Sequence, residues 1–461
     1  MIRTDHPLLK IGEIAFARQP LQLIKGLIGA YVAYPIAESR EKRAVRSKLD
    51  ELRCHYALPF SERVQVVRGR LADMLLFVQH SVPYYRDLFT RIRFEPQKVR
   101  KDAQFLKDLP YLTKDIIREQ GDRLLSRPLS EVRHHICKTG GSTGLSCVIN
   151  YDQAGADYSA AVTLYARERI GKLKYKTELH FACRFPGEPV VMWPSREDYK
   201  CFAMNRSNIF FSSVDDAGLE EIRQTLKRRR PYLVHAHPST IHALACYVDR
   251  NYGVEKLFDV FESSGELLEP YQRRTIAKVL DCAVIDRYGL AEFGVVAYEF
   301  EGADAGLQVL ESEVWPESAP ITGTSEDLSE LVFTGLRNRL MPLIRYRTGD
   351  LAEVKENSKG FYLEKVVGRI HDIVPINGVP HPTHHIQDIL DHRVGGVQEF
   401  QIDLRTMPPT LKIVPEPAAD IDNIRRKVVG YWGVGFDLQF VNHDAFFRVG
   451  RHAKFRHVVQ A

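Results

Sequence analysis

Cysteine is scarce in this chain: seven among 461 residues, with no C-x-x-C pair. That excludes a disulfide-built scaffold, and a reduced, cytoplasmic setting is the expectation. Long apolar runs are missing too. The most apolar stretch, Leu21 to Ile36 (LQLIKGLIGAYVAYPI), is interrupted by Lys25 and stops short of the ~20 residues that a bilayer-spanning helix needs. The first twenty residues carry Asp5 and Glu13 and no unbroken apolar core, so no secretory signal is expected. Nor does one sign of charge dominate. The 64 Lys and Arg against 59 Asp and Glu leave +5, too dilute to argue for a nucleic-acid partner.

What remains is the mix of an ordinary globular protein, 44% apolar and 27% charged, in a chain too long for a single core. After the apolar stretch comes a basic run, Arg40 to Lys48 (REKRAVRSK). Two readings of this region stay open: an amphipathic helix lying on a membrane surface with a cationic flank, or a helix packed on the main body, the one favoured. From Arg68 to Phe89 apolar residues recur at helical spacing, and Thr113 is placed to cap a helix. Between Asp157 and Asp286 strand-like and helical segments alternate. Leu233–Ala236, Leu257–Glu262 and Ala283–Ile285 read as strands, Pro238–Arg250 and Pro270–Leu280 as helices. Such alternation predicts an α/β architecture with a parallel sheet. The last ninety residues or so hold two β-like runs, VQEFQIDL and LKIVPE, and a helix near Ile421–Tyr431, enough for a small α+β domain. The expected division is an N-terminal helical extension (1–65), a large α/β domain (66–368) with layered mixed sheets, and a small C-terminal domain (369–461).

Five motifs carry chemistry. Thr139-Gly140-Gly141-Ser142-Thr143-Gly144 offers glycines that let backbone approach an anion and hydroxyls that donate to phosphate oxygens or bind a metal. It is not a Walker loop, since Leu145, Ser146 and Cys147 follow it. Asp286 to Glu292 (DRYGLAE) follows a strand end, with an aromatic face at Tyr288 and a carboxylate at Glu292, which on its own reads as a solvated helix residue. Tyr346 to Asp350 (YRTGD) supplies a carboxylate suited to a sugar diol, and Gly368-Arg369 a guanidinium. A basic tail, Gly450 to Arg456 (GRHAKFR), is the fifth. Singly, each is an ordinary turn, surface pair or solvated tail.

In this order and spacing, over residues 65 to 461, they resemble the adenylate-forming superfamily of acyl-CoA synthetases, adenylation domains and luciferases. The branch they resemble most is that of phenylacetate–CoA ligases and capsule-biosynthesis adenylating proteins. TGGSTG is similar to the family's phosphate loop, DRYGLAE to its YGxTE motif, GRIHD to its hinge motif and RHAKFR to its lysine signature, while YRTGD matches outright. Ser264-Gly265-Glu266 stands where the branch has its adenine-contacting pair.

The resemblance implies that a carboxylic acid, aryl or acyl, is activated with ATP and Mg²⁺ to an acyl-adenylate. The acyl group then passes to CoA or, alternatively, to a carrier protein or amine; a non-catalytic nucleotide-binding relative is the third reading. It assigns the phosphates to Thr139–Gly144, the adenine to Gly265, Glu266 and Tyr288, the metal to Glu292 and Thr143, and the ribose to Asp350 with Arg369 beside it. Lys454 is assigned to the reacting carboxylate and α-phosphate. Departures are Ala291 for the usual hydroxyl residue, Ser146 for proline, His371 for aspartate and His452-Ala453 for Ser-Gly. An acid pocket is expected from Ala236–Ser239 and Ser263-Ser264. His235 and His237 are candidate contacts or buried structural histidines, and Phe181, Phe185 and Trp193 are nearby aromatics.

Overall fold

The computed structural model describes residues 20–138, 147–183, 196–211, 216–320, 329–369, 373–377, 379–382, 386, 389–416, 418–449, 454–455 and 457–459. The phosphate-loop candidates Thr139 to Gly144, together with Phe185, Trp193, His371, His452 and Ala453, lie outside them. The chain divides into two units that interleave in sequence. The first gathers Met1–Leu49, Thr163–Ser263 and Leu268–Ile285; the second gathers Asp50–Val162, Ser264–Leu267 and Asp286–Ala461.

The second unit opens with two helices, Phe60–Ser81 and Pro83–Ile92, broken where Pro83 starts a new first turn. Thr113 caps the helix Lys114–Gln120 by accepting from the Ile116 amide at 3.3 Å, as its position predicts. An antiparallel hairpin follows, β1 (His134–Lys138) and β2 (Val148–Asp152), with Lys138 opposite Val148.

The first unit is built on a five-stranded parallel sheet of β3 (Glu178–Cys183), β4 (Arg206–Phe211), β5 (Leu233–Ala236), β6 (Val260–Ser263) and β7 (Ala283–Ile285), in the order β4-β3-β5-β6-β7. Parallel neighbours need crossovers, and the helices Asp216–Arg229, Pro238–Tyr252 and Pro270–Leu280 supply them. Each buries an i, i+3, i+4 stripe: Leu219, Ile222 and Leu226; Ile241, Leu244, Ala245 and Val248; Ile276, Val279 and Leu280. These stripes close over Leu179, Val234, Phe261 and Val284 of the strands. One strand begins later than its sequence predicts. β6 starts at Val260, not Leu257, because the Asp259 and Val260 amides both donate to the Tyr232 carbonyl and turn the chain there.

A charged network runs through this unit. The Arg167 guanidinium forks onto Glu262 at 2.9 and 2.6 Å and reaches Glu178 at 3.2 Å, while Lys172 stands 3.0 Å from Glu178. Glu262 is fully buried and Glu178 nearly so.

Back in the second unit, seven antiparallel strands form one sheet, β11-β12-β13-β14-β10-β9-β8. They are β8 (Arg287–Leu290), β9 (Gly294–Tyr298), β10 (Leu307–Val309), β11 (Val314–Pro320), β12 (Ser329–Gly335), β13 (Tyr346–Asn357) and β14 (Gly360–Arg369). Their inner residues, among them Val296, Leu331, Phe333 and Tyr346, share a core with the helix Phe60–Ser81 through Val67, Leu71 and Leu75.

A separate core lies C-terminal to this sheet. After the hairpin β15 (Ile373–Ile376) and β16 (Val379–Pro382) come β17 (Val397–Asp403), β18 (Thr410–Pro415) and the helix Ile421–Trp432. Then follow β19 (Asp437–Phe440), the short pair β20 (Arg448–Val449) and β21 (Lys454–Phe455), and β22 (Val458–Val459). Ile424, Val428 and Trp432, one helical face, pack on Phe400, Ile402, Leu411 and Ile413. The architecture is thus α/β with a large N-terminal part and a small α+β C-terminal domain. Among the described residues no helix is long and apolar enough to cross a membrane.

Candidate active site

The turn after β8 is where glycine is obligatory. A Cβ at Gly289 would lie 2.9 Å from the Gly294 carbonyl oxygen, closer than real Cβ contacts come. The tight turn presents Tyr288 on the strand and Glu292 in the loop between β8 and β9. Glu292 is buried, not the solvated helix residue that its motif suggests in isolation. Its Oε1 accepts the Tyr346 hydroxyl at 2.6 Å, from the first residue of YRTGD. Burial, reinforced by the Glu292 charge, pushes the Tyr346 phenol far up, so it stays a donor. Tyr151 fastens the same turn by donating to the Ala291 carbonyl at 2.8 Å, a contact that needs no hydroxyl at position 291.

Asp350 is reached from the same turn. The Tyr288 hydroxyl donates to its Oδ2 at 2.5 Å. Along β13, period-two alternation sends Tyr346, Thr348 and Asp350 inward. Thr348 donates to the Leu331 carbonyl at 2.7 Å and accepts the Asp350 amide at 3.0 Å, so the buried carboxylate is held at both backbone and side chain. Arg369 stands directly opposite Asp350 in the β13–β14 register, nineteen residues away in sequence but one strand away in space. Ser264, which precedes Gly265 and Glu266, accepts a hydrogen bond from the Arg287 guanidinium at 2.9 Å, and this ties the Ser264–Glu266 segment to β8. Gly265 takes a φ of 82°, a conformation glycine enters without strain.

The glycine-rich segment itself is outside the described residues, yet both its flanks are in view. Its flanking strands end in the pair Lys138 and Val148. Burial raises the thiols of Cys137 and Cys147; the Glu292 charge adds to this at Cys137, and at Cys147 it acts against Lys114 and Arg118.

Tyr288, Glu292, Asp350 and, by backbone register, Arg369 are therefore brought together, and Ser264 ties the segment that carries Gly265 and Glu266 to β8. Tyr346, Tyr151, Thr348 and Arg287 are supporting residues that the motif reading gave no role; Tyr346, Thr348 and Arg287 lie inside the motifs themselves, and Tyr151 lies on β2 beyond the glycine-rich one. Lys454 lies on β21, with Val449 opposite. His235 sits with its Nδ1 2.7 Å from Glu262 in the first unit's charged network and its ring 4.7 Å from that of His180, which favours the structural reading. His237 ends the coil before the helix Pro238–Tyr252, its carbonyl accepting the Thr240 amide at 3.2 Å. Among the described residues no three His, Cys, Asp or Glu side chains form a metal cage. Mg²⁺ usually binds through one or two carboxylates with phosphates and water, and a buried, oriented Glu292 is a donor of that kind.

No protein-family model matches the chain. Protein CapK of Staphylococcus aureus is 22% identical over 317 residues, covering 66% of this chain and 67% of that protein. Phenylacetate-coenzyme A ligase of Escherichia coli is 23% identical over 401 residues, covering 81% and 89%, and that of Pseudomonas putida is 26% identical over 332 residues, covering 67% and 71%. Among solved structures, 2-hydroxyisobutyryl-CoA ligase in the postadenylation state, with R3-HIB-AMP bound, superposes with a TM-score of 0.65 at 19% identity, covering 88% of this chain and 90% of that one. The chain is thus similar in sequence to CapK and to phenylacetate-coenzyme A ligases, and similar in fold to 2-hydroxyisobutyryl-CoA ligase, in line with the resemblance its motifs carry.

Proposed function

We propose that the protein is an AMP-forming acid–thiol ligase, which joins an aryl or acyl carboxylic acid to CoA at the expense of ATP. The observation that carries this reading is the pair of buried carboxylates, Glu292 and Asp350, each gripped by a tyrosine hydroxyl, with the Glu292 charge felt at Cys137 and Cys147 on either side of the glycine-rich segment. In the first half-reaction a carboxylate oxygen of the acid attacks the α-phosphorus, and pyrophosphate departs with the electrons of the broken bond. In the second, the CoA thiolate attacks the acyl carbon and AMP departs.

The chemical difficulty is that one anion attacks another, so donors must be in place before charge moves. The loop amides and hydroxyls of Thr139–Gly144 would hold the β- and γ-phosphates, and Gly265, Glu266 and Tyr288 would frame the adenine. Asp350 would accept the ribose hydroxyls, with Arg369 beside it. Glu292, with Thr143, would hold Mg²⁺, whose chemistry there is to neutralise phosphate charge. Lys454, on the C-terminal domain, would supply a cation to the reacting oxygens in the first step and withdraw when that domain rotates for the second.

The test is pyrophosphate release across a panel of aryl and aliphatic acids, with and without CoA. Acid-dependent release followed by CoA-dependent thioester is the expected result. Acyl-adenylate that CoA does not consume would redirect the search to a carrier protein or amine acceptor, and no release with any acid would overturn the reading. A narrower expectation concerns the hydroxyl that orients Asp350. Tyr288→Phe removes a hydrogen bond to a charged group worth about 1.5 kcal/mol, so KM for ATP should rise roughly tenfold with kcat little changed. Unchanged KM would show that Asp350 does not need this partner.

A further inference from the structure

The helical segment at the start of the described chain is turned opposite to the usual pattern. Pro20–Ile28, a π-turn at Gly29–Ala33 and Tyr34–Arg40 run on as one rod. Its packed face is its small one. A Cβ at Gly26 would fall 2.1 Å from the Tyr175 carbonyl oxygen, and one at Gly29 2.5 Å from the Phe202 carbonyl oxygen, so two glycines let the rod lie flat against the first unit. The large apolar residues point the other way. Leu21, Ile24, Ile28, Tyr31, Val32 and Ile36 are 79, 52, 46, 65, 53 and 48% exposed. Their spacing of three and four draws a single stripe along the outer face. Isolated exposed apolar residues are ordinary on a protein surface; a continuous stripe of six is not.

From Pro20 to Lys48 the chain carries six cations (Lys25, Arg40, Lys42, Arg43, Arg46 and Lys48) against two acids, Glu38 and the half-buried Glu41. Lys25 lies beside it, and Arg40 and Lys42 stand exposed at its C-terminal end. The only acid between Pro20 and Arg40 is Glu38, which is buried and bound by Arg46 through both the amide and the guanidinium.

We propose that this face docks on an anionic lipid surface. An apolar ridge whose flanking charge is net positive, with an aromatic hydroxyl at mid-length, matches the boundary between headgroups and acyl chains. A second copy of the chain is the poorer occupant, since an isologous contact would set Lys25 of one copy against Arg40 and Lys42 of the other or like against like, with the half-buried Glu41 too little to offset them. The proposal is independent of the assigned ligase chemistry. None of these side chains belongs to the nucleotide site, so the activity in free solution is expected to persist in the variants below.

The experiment is flotation of the full-length protein with vesicles of phosphatidylcholine alone and of phosphatidylcholine with phosphatidylglycerol, at low and high salt. The expected result is binding to the anionic vesicles only, weakened by salt. Lys25→Gln/Arg40→Gln/Lys42→Gln should lower the partition coefficient roughly a hundredfold, about fivefold for each cation near the surface. Ile24→Glu/Ile28→Glu, placed on exposed positions to spare folding, should abolish binding while circular dichroism and pyrophosphate release stay at the parent level. Binding equal on neutral and anionic vesicles, no binding to either, or binding that survives both variants would overturn the proposal. So would a parent dimer that Ile24→Glu/Ile28→Glu converts to monomer, which would assign the face to a second copy.

Discussion

Lys454→Ala should reduce acid-dependent pyrophosphate release by roughly 10² to 10³, the usual loss when one preorganised electrostatic contact to a transition state is removed. ATP binding should stay near the parent value, because the adenine, ribose and phosphate contacts assigned above all lie elsewhere in sequence. Thioester formation from a supplied acyl-adenylate and CoA should also survive, since the proposed role of this cation is confined to the first step. The split between the two half-reactions is the informative readout. A variant that adenylates at the parent rate would show that another cation does the work. Loss of both half-reactions together would point to a structural role in the β20–β21 pair. The parallel variant Arg369→Ala should differ in kind. Arg369 sits on β14, opposite Asp350 in the large sheet, so its loss should appear in KM for ATP as well as in kcat.

Much of the first unit was legible in the sequence because each of its elements is short, uniformly patterned and punctuated. Pro238 and Pro270 stand at first turns, and the apolar stripes between them have one period, so the strands Leu233–Ala236 and Ala283–Ile285 and the helix Pro270–Leu280 fall where expected. The start of the helix Phe60–Ser81 was less visible. One of its buried positions is held by Arg63, paired with buried Glu311 at 2.6 Å, and a charge on the inner face hides the apolar period until Val67. The active-site constellation was legible as motifs but not as contacts. Tyr346 and Glu292 are 54 residues apart, and Tyr288 and Asp350 are 62 apart. Local pattern shows which way a side chain faces, not what meets it there. The N-terminal rod shows the same limit from the other side: its apolar stripe was plain, whereas the choice of its glycine face for packing depends on the Tyr175 and Phe202 carbonyls.

Glu262→Leu should destabilise the protein by about 3–5 kcal/mol in chemical denaturation, because it strands the Arg167 guanidinium in the interior without its fork. The penalty belongs to the uncompensated charge more than to any worth of the pair. The double variant Arg167→Met/Glu262→Leu should therefore recover much of the loss, even though it removes more native polar contacts. If the double variant were as unstable as the sum of the two singles, the pair would be favourable in its own right. Acid should probe the same network. The Arg167 and Lys172 charges outweigh the burial of Glu178 and hold its carboxyl well below the usual 4.5, and burial lowers the His180 imidazole from 6.5. Both groups bind fewer protons folded than unfolded, so stability should be full above the ordinary histidine pKa. It should decline as pH falls below about 6.5 and more steeply below about 4.5. In the Arg167→Met background Glu178 loses the guanidinium that helps hold it ionised, and the lower limb of that profile should flatten. A pH profile with the same lower limb in the parent and the variant would show that Lys172 and His180, 3.0 and 3.3 Å from Glu178, set its ionisation without Arg167.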